Sequence, residues 1–302
     1  MTGRSGRGCG VDVRQLEYFL AVVDHGGVNR AAAALHLSQP SLSQALRTLE
    51  RDLGSDLFHR IGRRLVLNDS GHALVGPARE AVRGLDLARS AVEAVRGLRR
   101  GRVDVAALPT QSIEPLTGLV AGFTERHPDV SVSIRGALTN RDAVQMVRTG
   151  ACELGVVATG DPLGDPGVDV LPLVRQAFVL LAPADGPFRP GAPVPAAALT
   201  GHRLIVGHEG SGMRRFADRL LAEGLDARIV VESEHRVSIL PLVLGGAGLA
   251  VVTDAWRGLA EQAGALVLDL EPTDHLDVAL ISRRGPLTAA ARAFVDHAAS
   301  GA

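Results

Sequence analysis

The stretch from residue 35 to residue 50, LHLSQPSLSQALRTLE, admits few structures. Ser38 offers a side-chain oxygen just before Pro40, and Pro40 lacks a backbone N–H that the first turn of a helix leaves unpaired in any case. That combination starts a helix, and Gly54 stops it after about Leu53. Inside it, Leu42, Ala45, Leu46, Leu49 and Leu53 recur at spacings of 3, 1, 3 and 4, a stripe for one buried face. The other face carries Gln39, Ser41, Ser43, Gln44, Arg47, Thr48 and Arg51, and no acid precedes Glu50. A helix that needs only solubility uses Glu and Arg freely. Short hydroxyls and amides instead match base edges in a DNA major groove. Gln pairs with adenine, Ser and Thr reach either kind of edge, and Arg reads guanine or holds phosphate.

The flanking sequence supports this reading. Residues 13–24 predict a helix with Leu16, Phe19, Leu20 and Val23 on its apolar face, ended by Gly26 and Gly27. Asn29 is expected to cap a short, alanine-rich second helix over residues 30–35. Two short helices, a tight turn and a polar reading face make a helix-turn-helix. In the following DLFHRIGRRLVLNDSG, Leu65, Val66 and Leu67 predict a strand with Gly62-Arg63-Arg64 as the hairpin tip. Such a basic wing would place Arg60, Arg63 and Arg64 near phosphates or the minor groove.

Charge is divided in the same way. Residues 1–100 hold 15 Arg against 10 acids, whereas residues 101–302 hold 17 Arg against 23 acids, so the net charge of -1 conceals a basic first third. Only that part is suited to a polyanion. The chain contains no lysine.

These pieces together resemble the N-terminal winged helix-turn-helix of LysR-type transcriptional regulators. The resemblance rests on R-Q-L-x-Y-F from Arg14, A-A-x-x-L-x-x-S-Q-P ending at Pro40, S-x-x-x-x-x-L-E ending at Glu50, and L-F-x-R ending at Arg60. Gln44 departs from it, standing where many members carry a basic residue. The candidate DNA-contacting set is Asn29, Arg30, Ser38, Gln39, Pro40, Ser41, Ser43, Gln44, Arg47, Arg51, Arg60, Arg63 and Arg64.

Asp69 or Ser70 is expected to cap a long helix reaching about Leu98, interrupted by Pro77. Leu74, Ala78, Ala81, Leu85, Ala88, Val92 and Val95 repeat at alternating spacings of 4 and 3, the heptad seam of a dimer helix. The resemblance implies the same: a homodimer or homotetramer that presents paired winged domains to a pseudo-palindromic site on double-stranded DNA. Residues 99–101 are expected to hinge this helix to the remainder.

From Val103 onward, short β-rich runs alternate with helical stretches: VDVAAL, a helix over 113–126, VSVSI, a helix over 142–149, LGVVA. A second unit follows with AFVLLAP, RLIVG, ARIVVES and GLAVV, and DVALIS and a last helix end the chain. The layout resembles the two-lobed, periplasmic-binding-protein-like effector domain of the same family. The expected fold is therefore an α+β multi-domain chain. It comprises a disordered extension (1–12), the winged domain (13–69), a linker helix (70–100) and an effector domain (101–302). Lobe I is expected over about 101–172 and 275–302, and lobe II over about 173–274. Ligands of open α/β sheets bind at strand carboxyl ends. Thr110, Gln111, Ser112, Thr139 and Asn140 in lobe I, with His208, His235 and Val237 in lobe II, are the candidate contacts for a small polar or anionic effector.

Other classes are poorly supported. Cys9 and Cys152 form no CxxC pair, and His208, Glu209 and His235 lack a metal-ligand spacing, so neither a metal nor a cofactor is expected. No apolar run approaches the roughly 20 residues of a membrane span, and the expected location is cytoplasmic. A nucleotide- or anion-binding α/β enzyme is the alternative, suggested by LIVGHEGSGMRRF. That run lacks both the G-x-G-x-x-G and the P-loop spacing, and a lysine-free chain has no P-loop. No G-x-S-x-G elbow is present. Turnover without DNA would identify the enzyme, and a salt-steep DNA complex without turnover would identify the regulator.

Overall fold

The computed structural model describes residues 10–61, 64–95, 101–160, 167–272 and 274–301. The chain divides into two compact units, residues 1–92 and 93–302. Among the described residues no helix is long and apolar enough to cross a membrane.

In the N-terminal unit, α1 (Val13–Asp24) is capped by Asp12. The Asp12 carboxylate accepts the Arg14 N–H at 3.2 Å, and the Gln15 side chain accepts the Asp12 N–H at 2.9 Å. Asp12 therefore belongs to the folded unit and not to an extension; residues 1–9 lie outside the described residues. α2 (Val28–Ala34) has its N-cap at Gly27, without a side-chain cap bond. This corrects the expectation that Asn29 caps it. Gly26, at φ 62°, turns the chain so sharply that helix resumes at Val28, leaving Asn29 inside the first turn. α3 (Gln39–Leu53) begins as expected, with Ser38 Oγ accepting the Ser41 N–H at 3.2 Å, and ends at Gly54 in the left-handed conformation. Its buried residues are Leu42, Leu46 and Leu49; Leu53, expected to close the stripe, is exposed. They pack with Phe19, Leu20, Ala31 and Leu57. Each such leucine or phenylalanine contributes about 1.5–3 kcal/mol by leaving water.

β1 (Phe58–Ile61) and β2 (Arg64–Leu67) pair antiparallel, from Phe58 opposite Leu67 to Ile61 opposite Arg64. Glu50, at the end of the reading face, accepts the Leu57 N–H at 2.9 Å and so ties the start of the wing to α3. α4 (Asp69–Val95) is capped by Asn68, one residue before the expected caps, through a 2.8 Å bond from the Gly71 N–H to Asn68 Oδ1.

At Gly71 the wing and α4 approach closely. A Cβ there would lie 2.2 Å from the Leu57 carbonyl oxygen and 2.7 Å from Leu67 Cδ2. Backbone cannot rotate away from such a clash. Gly71→Ala is expected to destabilise this unit by about 1–3 kcal/mol, as overpacking does. Hydrogen exchange in the full-length protein would show it as lost protection over α3 and β2. Unchanged protection there would contradict the packing.

The heptad stripe on α4 is divided by its surroundings. Ala78 is buried in the same core as Phe19 and Leu42, and Leu74, Val75 and Val82 pack around it. Leu74 and Ala78 therefore belong to this unit's own core, which corrects their assignment to a dimer seam. The reason is the adjacency of α1, to which α4 is bound by Arg79 and Asp24 at 2.6 Å. From Ala81 onward the stripe turns outward: Ala81 and Ala88 are exposed, Leu85 is half-buried and Val92 is 61 % exposed. The Val95 side chain and residues 96–100 of the expected hinge lie outside the described residues.

The C-terminal unit opens with β3 (Gly101–Ala107), α5 (Pro109–Ile113), α6 (Leu116–Arg126), β4 (Val130–Gly136), α7 (Asn140–Arg148) and β5 (Leu154–Thr159). β3 lies parallel to both β4 and β5. The single helix expected over 113–126 is two, separated at Glu114 and Pro115, and its first piece already begins at Pro109. β6 (Val168–Pro183) then leads into β7 (Val194–Pro195), β8 (Arg203–Gly207), α8 (Gly212–Ala222), β9 (Arg228–Ser233), α9 (Ile239–Leu244) and β10 (Leu249–Thr253). The chain ends with α10 (Arg257–Gln262), β11 (Ala265–Glu271), β12 (His275–Arg283) and α11 (Ala289–Gly301). The main strand order is β4-β3-β5-β12-β6-β10-β8-β9.

The 16-residue β6 passes from one lobe to the other. It pairs with β12 as far as Ala177 opposite His275, then with β10 from Phe178 opposite Thr253. The hand-over falls between Ala177 and Phe178, a few residues later than the expected boundary near 172. β12 returns the chain to lobe I, antiparallel to β5. The carboxyl ends of β3 in lobe I and of β8, β9 and β10 in lobe II lead into α5 and the turns around residues 208–211, 234–238 and 254–256.

Candidate functional site

The reading face of α3 is laid open by the burial of its leucines. Asn29, Arg30, Ser38, Gln39, Pro40, Ser41, Gln44, Arg47 and Arg51 are exposed, and Ser43 is half-buried. Several are held by local bonds. Gln39 Nε2 donates to Ser43 Oγ at 2.8 Å, and the hydroxyls of Ser38 and Ser41 lie 2.7 Å apart. Arg30 donates to the Gly26 carbonyl at 2.7 Å, and Arg51 lies 3.6 Å from Asp52. Gln44 and Arg47 have no such bond among the described residues, so their polar ends are free to meet a partner. A recess of about 420 Å³, lined by Ser43, Arg47, Glu50, Phe58 and His59 among others, separates α3 from the hairpin. Arg63 and the side chains of Arg60 and Arg64 lie outside the described residues.

In the C-terminal unit the eight candidate effector contacts do not converge. Thr139 caps α7, its hydroxyl donating to the Asp142 carboxylate at 2.8 Å. Asn140 clamps the end of β5 with both ends of its amide, at 2.6 Å and 3.1 Å from the Ala158 backbone. His235 is exposed and Val237 is 82 % exposed. Ser112 donates back to the Leu108 carbonyl at 3.1 Å. Thr110 and Gln111 are buried, and both His208 ring nitrogens are buried without a partner among the described residues.

Thr110 and Gln111 belong to a buried polar chain that joins the lobes. Gln111 Nε2 lies 3.4 Å from Gln176 Oε1 on β6, which also accepts the Thr253 hydroxyl at 3.2 Å. Gln176 Nε2 donates to the Glu114 carbonyl at 2.9 Å. At the other end, Arg236 of lobe II donates to Thr110 Oγ1 at 3.4 Å and contacts the Met213 sulfur. Burial lowers the Arg236 pKa to about 10, so the guanidinium stays charged at neutral pH. Beside this chain the lobes leave a recess of about 710 Å³, lined by Ile113, Glu114, Thr117, Gln176, Asp254 and Leu259 among others. That is within the range of small-molecule sites.

Arg236, Gln176 and Thr253 carry no sequence signal that marks them as site residues. Gln176 is one amide inside the apolar run VRQAFVLL, and Arg236 is one base at a strand's carboxyl end. Nothing local says that they meet Thr110 and Gln111. Among the described residues no cluster of His, Cys, Asp and Glu could hold a metal ion.

Comparison with known proteins gives the same two-part division. Residues 13–72 match the bacterial regulatory helix-turn-helix protein, lysR family, and residues 96–302 match the LysR substrate binding domain. The chain is 32 % identical over 289 residues to the RuBisCO operon transcriptional regulator of Allochromatium vinosum, covering 94 % of each chain. Among solved structures it is similar to a full-length OxyR variant from Pseudomonas aeruginosa, with TM-score 0.70, 23 % identity, and coverage of 96 % of this chain and 94 % of that one. It is also similar to full-length CbnR solved with its target DNA, with TM-score 0.68, 24 % identity, and coverage of 97 % and 100 %. At these identities the likeness to the solved structures is one of fold. The chain belongs to the LysR family: it is a transcriptional regulator with a helix-turn-helix DNA-binding domain and an effector-binding domain.

Proposed function

We propose that the protein reads a pseudo-palindromic operator as a dimer or tetramer, with α3 in the major groove and the β1–β2 wing against the backbone. The observation that carries this reading is the free polar ends of Gln44 and Arg47 on the exposed side of a helix whose other side is buried. CbnR, which shares the fold, is solved on its own target DNA. The exposed stripe of Ala81, Leu85, Ala88 and Val92 supports dimerisation through the outer part of α4. A small polar effector binds between the lobes of the C-terminal unit, with Thr110, Gln111 and Ser112 on one side and His208 on the other. Contacts to both lobes make binding depend on the angle between them, which is what an effector needs in order to shift a DNA-bound oligomer.

Binding to a randomised operator tests the DNA assignment. Gln44→Ala is expected to relax preference at one base pair by about 1–3 kcal/mol. Arg63→Ala or Arg64→Ala is expected to weaken all sequences alike and to flatten the salt slope by about one unit. If both classes of variant gave the same profile, the division into reading helix and phosphate-binding wing would be wrong.

A further inference from the structure

We propose that His59 on β1 takes up a proton when the protein binds DNA and holds a backbone phosphate in that form, so that affinity rises as the pH falls. This rests on the reading that α3 enters the major groove with the hairpin against the backbone, and it adds a contact and a pH response to it.

The observation is the charge in the recess between α3 and the hairpin. Its polar lining comes from Ser43, Arg47 and Glu50 on α3, Asp56 in the following loop and His59 on β1. Ser43 and Arg47 belong to the reading face, so the recess lies beside the surface that meets DNA. Among the described residues Arg47 is its fixed cation, and Glu50 and Asp56 are its carboxylates. Glu50 already accepts the Leu57 N–H at 2.9 Å. With a neutral His59 the lining therefore carries one negative charge in excess, and with a protonated His59 the charges balance. β2 adds Leu65 to the lining and sets Val66 opposite His59, and neither titrates. The side chains of Arg60 and Arg64 lie outside the described residues.

A duplex brings about one negative charge per 1.7 Å of its axis against this lining. An excess carboxylate repels it, and protonation of His59 removes the excess. His59 is exposed and makes no hydrogen bond or ion pair among the described residues, so its ring is free to donate outward. Histidine ordinarily changes its charge between about pH 5 and pH 8. A phosphate beside the ring favours the charged form, so the complex binds more protons than the free protein. By linkage, lowering the pH then favours the complex.

The test measures binding of the full-length protein, over a salt series at pH 6 and at pH 8, to the duplex that the wild type selects from a randomised pool. The wild type is expected to bind about threefold to tenfold more tightly at the lower pH. Its salt slope there should be steeper by up to about one unit, because one more phosphate is neutralised. His59→Gln is expected to lose most of that difference and to match the wild type at pH 8. His59→Arg is expected to bind at pH 8 as the wild type does at pH 6, with the steeper slope at both. The other exposed histidines of this unit, His25, His36 and His72, stand outside the lining of the recess. His25→Gln, His36→Gln and His72→Gln, each made alone, are expected to keep the full pH response. The assignment is overturned by a wild type indifferent to pH, by His59 variants that respond as the wild type does, or by a response that follows one of the other three histidines. Arg47→Ala separates this inference from the reading beneath it. If that variant binds more weakly at both pH values while the His59 variants respond like the wild type, only the proton uptake is wrong. If it and the His59 variants all keep the wild-type affinity and salt slope, the recess does not face DNA and the placement of α3 and the hairpin fails as well.

Discussion

Leu85→Asp is expected to convert the protein to a monomer and to abolish tight operator binding. Leu85 lies midway along the outward part of α4, between the exposed Ala81 and Ala88 and about two turns before Val92. In a parallel or antiparallel pairing through this stripe, two new carboxylates would enter an apolar contact. Leaving them there costs several kcal/mol, and each 1.4 kcal/mol is about a tenfold loss in association. A monomer reaches one half-site only, so it should bind DNA far more weakly and with roughly half the salt slope. Because Leu85 is half-buried within its own chain, Ala88→Asp provides the control: Ala88 is exposed, and its substitution disturbs no intrachain packing. Light scattering of the two variants at matched concentration decides the matter. If both keep the wild-type mass, α4 is not the seam.

The second large effect is expected from Phe123→Ala. Phe123 is fully buried on α6, edge-on to Phe294 of α11 with ring centroids 5.0 Å apart, and close to His127 at 4.7 Å and His297 at 5.9 Å. Removing the ring leaves a cavity that neighbours from two helices and the β3 face cannot readily fill, at a cost of about 3–5 kcal/mol. Domains are stable by only about 5–15 kcal/mol, so this would bring the effector-binding unit near its limit. Urea unfolding followed by circular dichroism should show a lower midpoint with an unchanged slope. A loss below about 1 kcal/mol would mean that α6 does not pack on α11 as described. The consequence reaches the site, since α6 follows directly on α5, which carries Thr110 and Gln111.

Features that span one turn or one strand are legible in the amino-acid sequence. The start of α3 at Ser38 and Pro40, its end at Gly54 and its leucine face all follow from residues within four positions of each other. The same holds for α1 and for most of the strands and helices after Val103, although β7, α10 and β11 have no counterpart among the expected elements and the one helix expected over 113–126 is two. Sequence and structure part where a second element intervenes. The α4 stripe has one period throughout, yet its first positions face α1 and its later ones face outward, because periodicity states that a helix has an apolar side and not what covers it. Thr139 and Asn140 carry the polar groups of a binding site, but capping and strand clamping occupy them.

The amino-acid sequence by itself determined the two-part architecture, the reading helix and the family, because these depend on short-range spacing and on a motif in one register. Only the tertiary structure decided which polar residues meet. Arg236 and Thr110 are separated by 126 positions and come together because β6 and β12 carry the chain across the hinge and back. No local pattern marks such a pair. The energy that makes it significant, a buried charge facing neutral acceptors, exists only once the lobes have closed water out.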